Sequence, residues 1–121
     1  MDRVSVSELA VLRALWTREP VTAAELAEML ERERGWSLST VKTLLARLVE
    51  KHVIVTEKDG RRFLYRAAIA REDYAADQSR RLIDDMFDGR AAPLVAHLAR
   101  RNALTPEDVA EIAALLKAIE E

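Results

Sequence analysis

The chain of 121 residues contains no cysteine. That absence excludes a disulfide framework and thiolate metal ligation, and it fits a reducing compartment with no redox chemistry. No stretch approaches the roughly 20 consecutive apolar residues that span a bilayer. The opening MDRVSVSEL carries acid where a secretory leader would have its apolar run. A cytoplasmic location without membrane insertion is expected. There is no internal repeat, no low-complexity linker, no phosphate-cradling loop, no dinucleotide fingerprint and no nucleophile paired with a base, so neither enzymatic activity nor a cofactor is expected. The sharpest absence is local. From Arg34 through Val49 there is not one Asp or Glu, although the whole chain carries 21 acids against 19 Lys and Arg.

What is present describes a folded protein. Hydrophobic residues make up 50% and charged residues 33%, the balance of a globular chain and not of a disordered one. The length admits one small domain with an appendage, or two small units that share their cores with a partner. Charge is unevenly placed. Residues 1–68 carry 12 Lys/Arg and 10 Asp/Glu, net +2, whereas residues 69–121 carry 7 and 11, net −4. Between Ser39 and Arg66 there are seven cations against three acids, net +4. Positive charge gathered in one quarter of a chain suits a face that meets a polyanion.

Ser5-Val6-Ser7-Glu8 has the spacing of a capping box, and Leu9, Leu12, Leu15 and Trp16 follow at helical intervals, so a first helix is predicted over residues 7–17. Glu19-Pro20 ends it. Thr22-Ala23-Ala24-Glu25 is a second capping box, with Val21 and Leu26 placed as a hydrophobic staple, and the second helix is predicted to end near Gly35. Ser37 can cap a third helix running to about Lys51. "VIVTEKDGRRFLYRA" then alternates with period two, and Asp59-Gly60 between its halves signals a two-residue hairpin turn. Three short helices closed by a hairpin form a winged helix-turn-helix. Beyond a boundary near residues 67–72 the pattern is helical again, from Tyr74 to about Phe87, from Pro93 to about Arg101, and from a last start at Thr105-Pro106-Glu107-Asp108. The expected fold is therefore mainly α with a small β-hairpin: a winged helix-turn-helix domain over 1–68 and a short α-helical C-terminal region over 69–121.

On a helical wheel Val41, Leu44, Leu45 and Leu48 share one face of the third helix. The opposite face carries Ser39, Lys42, Thr43, Ala46, Arg47 and, in the last turn, Glu50. Small or hydroxylated side chains, two cations and no early acid are what a helix needs to enter the major groove, where bulk would hold it off and carboxylates would meet phosphate. Lys42 and Arg47 suit guanine edges or phosphates; Thr43 and Ala46 suit thymine methyl groups. The bland alternative is a solvated basic surface helix. Helix-turn-helix spacing, together with Lys58, Arg61 and Arg62 about the hairpin turn, where a wing touches backbone phosphate, favours double-stranded DNA.

The blocks "SELAVLRALW", "VTAAELAE", "WSLSTVKTLLARLVEK" and "DGRRFLYRA" resemble consecutive segments of the penicillinase repressor family, which includes methicillin-resistance regulators and copper-responsive repressors. The resemblance covers nearly the whole chain. Its most specific block, W-S-x-x-T-[VI]-[KR]-T-L-[LI]-x-R-L, is matched throughout by Trp36 to Leu48. It implies a dimeric repressor whose third helix enters the major groove of a dyad-symmetric operator, with Ser39, Thr40, Lys42, Thr43 and Arg47 in contact with DNA. Three departures stand out. His52 occupies the position where the family usually has glycine after the third helix, so a strained C-cap is expected. The cysteine motifs of the copper-responsive members are missing, which places the chain in a cysteine-free branch without thiolate copper sensing. Antibiotic-responsive members are cut at an Asn-Phe bond by a membrane-bound sensor protease; the corresponding pair here is His97-Leu98.

In the C-terminal region Leu82, Ile83, Met86, Phe87, Leu94, Val95, Leu98, Ile112, Leu115, Leu116 and Ile119 recur at helical spacing. About fifty residues seldom complete a core alone, so these are expected to form a homodimer interface. A helix-turn-helix unit reads a half-site, and two-fold symmetry supplies the other half. Asp84-Asp85-Met86-Phe87-Asp88 resembles a magnesium-holding D-D-x-x-D motif, but a lone acidic match without a substrate cavity reads as a solvated helix end. His52 and His97 have no metal-spaced companions and are read as structural or surface residues. Trp16 and Trp36 are assigned to packing. The competing functional class is a winged-helix adaptor that meets an acidic protein without reading DNA sequence.

Overall fold

The computed structural model describes residues 3–120. Its elements run α1 (Val6–Thr17), α2 (Ala23–Arg34), α3 (Leu38–Glu50), β1 (Ile54–Asp59), β2 (Arg62–Ala67), α4 (Arg71–Met86), α5 (Ala91–Arg100) and α6 (Pro106–Glu120). The chain divides into two compact units, one ending at Ala75 and the other beginning at Ala76. The division falls inside α4 because Tyr74 is buried with the first unit's core, its ring 5.7 Å from that of Trp16.

Each helix of the first unit begins where side chains satisfy its free amides. The Ser5 hydroxyl accepts from the Glu8 amide while Glu8 accepts from the Ser5 amide, and Thr22 and Glu25 repeat the exchange. Ser37 accepts from the Thr40 amide at the head of α3. Each such cap is worth about 0.5–2 kcal/mol. The helices are then held by one apolar core. Leu12 and Leu15 of α1, Leu26 and Leu30 of α2, and Leu45 and Leu48 of α3 are all fully buried, together with Val53 and Ile54 at the start of the wing. α1 packs on α2, α3 and β2.

β1 and β2 pair antiparallel from Ile54 opposite Ala67 to Asp59 opposite Arg62. The loop residues are therefore Gly60 and Arg61, one step later than the Asp59-Gly60 turn read from the sequence. Gly60 has φ of 64° and Arg61 has no positive φ, which is the type II′ requirement of glycine at the first central position. Val21 adds a short third edge to this ribbon: Tyr65 donates to the Val21 carbonyl at 2.7 Å and Val21 donates back at 3.2 Å. The α1–α2 connection is thus bonded to the wing. Trp16 fastens the wing's exit, donating its indole N–H to the Ile69 carbonyl at 2.9 Å.

The second unit is built differently. α6 opens with Thr105 and Asp108 capping one another at 3.0 Å, with Pro106 as its first residue. α5 ends in a Schellman turn through Asn102, whose φ is 57°. No described residue from 76 to 120 is fully buried. Ile83, Phe87, Leu94, Leu98 and Ile112 are half-buried, whereas Met86, Leu115, Leu116 and Ile119 are 69%, 58%, 56% and 79% exposed.

Candidate nucleic-acid interface

α3 separates its faces cleanly. Val41, Leu44, Leu45 and Leu48 are buried, and Ser39, Thr40, Lys42, Thr43, Ala46 and Arg47 are all exposed. The leucines fix the rotation of the helix and so decide which side chains look outward. Two hydroxyls are already engaged. Thr43 Oγ1 donates to the Ser39 carbonyl at 3.0 Å, leaving its methyl as the free contact group, and Thr40 Oγ1 lies 3.2 Å from Ser37 Oγ. Ser39 is the exposed hydroxyl of this set whose side chain makes no hydrogen bond among the described residues.

The seven cations between Ser39 and Arg66 are not equivalent. Lys51 turns inward to Glu8 Oε1 at 2.7 Å and also donates to the Arg3 carbonyl. Arg62 pairs with Asp59 and Arg66 with Glu57, each at 2.6 Å. The Asp59 carboxylate raises the Arg62 guanidinium's already high pKa. Among the described residues Lys42, Arg47, Lys58 and Arg61 form no ion pair. Two lie on α3 and two on the wing, and Lys42 of α3 lines the same concavity as Arg62 and Phe63 of β2. A cation of α3 and one of β2 thus line one concavity. Arg62 can leave Asp59 at little cost, since an exposed pair is worth about 0–1 kcal/mol and its acid is easily exchanged for phosphate.

Among the described residues Glu8 is the one buried charge in the first unit's core, 2% exposed. Burial alone would raise its carboxyl pKa. The Lys51 ammonium and the Ser5 amide outweigh that effect and hold the pKa below its ordinary value of 4.5. The pair ties the C-terminal end of α3 to the N-terminal end of α1. Sequence reasoning counted Lys51 only in the net charge of residues 39–66 and did not find this partner, because helical spacing within one segment gives no sign of an acid 43 positions away.

The model of the family described as penicillinase repressor matches residues 4–118. The chain belongs to the penicillinase repressor family. The penicillinase repressor of Bacillus licheniformis is 26% identical over 97% of this chain and 91% of that protein. An uncharacterised 16.5 kDa protein of Latilactobacillus sakei is 31% identical over 97% and 80%. The solved DNA-binding domain of the repressor BlaI superposes with a TM-score of 0.54 at 32% identity, covering 60% of this chain and 88% of that one. The monomeric form of Bacillus licheniformis BlaI in complex with the blaP half-operator gives 0.53 at 32%, covering 60% and 89%. As in those repressors, the fold is a winged helix, and the family is one of transcriptional repressors and not enzymes.

Within this penicillinase repressor fold the departures have definite places. His52 adopts φ of 62°, and the bonds from the His52 amide to Val49 and from the Val53 amide to Leu48 complete a Schellman turn. The altered cap keeps the motif and carries the strain in one residue. His97 and Leu98 lie within α5, with the imidazole 6.4 Å from the Phe87 ring. Among the described residues no group of three or more His, Cys, Asp or Glu is arranged to hold a metal ion.

Proposed function

We propose that this chain is a homodimeric repressor of transcription that binds an inverted-repeat operator through the outer face of α3 and the basic wing. The observation that carries the reading is the exposed face of Ser39, Thr40, Lys42, Thr43 and Arg47. It is held outward by four buried apolar residues and extended by Lys58, Arg61 and Arg62. In this reading residues 1–68 read the half-site. Residues 69–121 join two copies through Leu82, Ile83, Met86, Phe87, Leu94, Val95, Leu98, Ile112, Leu115, Leu116 and Ile119, for which the lack of any fully buried side chain among the described residues from 76 onward is the support. Such a repressor works in the cytoplasm; no described helix is long and apolar enough to cross a membrane.

Release by a membrane-bound sensor protease that cuts His97-Leu98 is a part of the family's chemistry that this chain inherits only if α5 unwinds there, because the bond lies in helical backbone. Incubation with such a protease and mass analysis of the fragments tests it: a cut at any other bond, or none, removes that route. The central reading is tested by titrating the dimer against its own promoter region and against random duplex over a salt series. Affinity should fall steeply with salt and exceed random duplex by about 10³-fold or more. Equal binding of both would instead favour the protein-adaptor class.

A further inference from the structure

The concavity between α3 and the wing is unlike the rest of the basic face. Its volume is about 560 Å³, inside the range of roughly 300–1,000 Å³ typical of small-molecule sites. Leu38, Ala23, Ala24, Phe63 and Tyr65 supply its apolar walls. Leu38 is 42% and Phe63 54% exposed, and apolar surface continues along α3 through Ala46 and Val49. Ala46 suits a thymine methyl, but phosphate contact calls for donors and gains nothing from Leu38, Phe63 and Tyr65. A contiguous exposed apolar surface marks a place where something else is bound.

Charge narrows what fits. Lys42 and Arg62 are among the lining residues, Arg62 in its exposed pair with Asp59, and no Asp or Glu lines the groove. Two aromatic side chains in the lining gain from a third ring in offset or edge-to-face contact. We propose that the groove binds a small aromatic monoanion, its ring against Phe63 and Tyr65 and its carboxylate between Lys42 and Arg62. Occupancy and DNA binding exclude one another, because Lys42 serves both. The exclusion rests on the reading of α3 as the DNA-contacting helix; the binding site does not.

The probe is 2-naphthoate, titrated into the full chain and followed by backbone amide chemical shifts. Saturable changes are expected around Ala23, Ala24, Lys42 and Phe63, with neutral 2-naphthamide weaker by about tenfold or more. Ala24→Phe, which fills the groove from an exposed helix position, should abolish binding at an unchanged melting temperature. If that variant melts early, Lys42→Met decides, with an expected loss of about tenfold. No saturable change at millimolar probe, equal affinity for the amide, or changes centred on α5 and α6 would each overturn the site. A fluorescent operator duplex should be displaced by the same probe. Retention of the duplex at saturating 2-naphthoate overturns the mutual exclusion. A chain that binds no duplex yet binds naphthoate in the groove overturns the DNA reading and supports the site.

Discussion

At the scale of single residues, two side chains carry more than their types suggest. His52 holds the left-handed conformation that lets α3 end in a Schellman turn and sends Val53 straight into the core. That conformation costs a non-glycine residue about 1–2 kcal/mol, part of which glycine returns through its greater freedom when unfolded. His52→Gly should therefore raise stability by roughly 0.5–1 kcal/mol, and His52→Val should lower it, since branching at Cβ worsens the clash; chemical denaturation of both variants checks this. Glu8 makes a second case. Its carboxyl pKa is depressed in the folded chain, so its stabilisation is complete above its ordinary value of 4.5 and is lost as pH falls through the lower folded value. Glu8→Gln should cost about 1–3 kcal/mol at neutral pH, and the gap to the parent should narrow as pH drops below 4.5. Thermal melts across that range would expose an error if the gap stayed constant.

At the scale of elements, α3 does two jobs with one set of spacings. Its buried side chains were legible because a period of 3.6 places Val41, Leu44, Leu45 and Leu48 together, and all four are buried. The capping boxes were legible for the same local reason. The rest was settled by distant residues that no local pattern encodes: the Val21–Tyr65 bridge, the Glu8–Lys51 pair, and the walls that α2, α3 and β2 give one groove. Even the hairpin moved by one residue, since Gly60 is needed at the first loop position and Asp59 is kept in the ladder opposite Arg62. The division of the cations bears on DNA. Lys42→Ala and Arg47→Ala should each weaken operator binding and, where the contact is to phosphate, reduce the slope of log affinity against log salt by about 1. Lys51→Ala should instead lower stability and leave the slope unchanged, because its ammonium is spent on Glu8 and the Arg3 carbonyl. A reduced slope for Lys51→Ala would place it among the DNA contacts after all.

At the scale of the molecule, the two units differ in how much of themselves they finish. The first encloses a continuous core of fully buried leucines, whereas the second leaves Leu115, Leu116 and Ile119 more than half exposed on the one helix. Apolar surface returns about 25 cal/mol per Å² when it is removed from water, so three such side chains on each of two copies supply a substantial driving force for association. In the proposed dimer the effect on DNA binding would be multiplicative: a dimer meets the second half-site at high effective concentration, and a monomer meets each alone. Leu116→Asp combined with Ile119→Asp should give a monomer by light scattering at micromolar concentration. Isolated half-site binding should stay intact, and affinity for the full inverted repeat should fall by about 10²-fold or more. The first unit should melt unchanged, since neither residue belongs to its core. A double variant that remained dimeric would move the interface off α6, and one that lost half-site binding as well would show that the second unit supports the DNA-binding face directly and not only by pairing it.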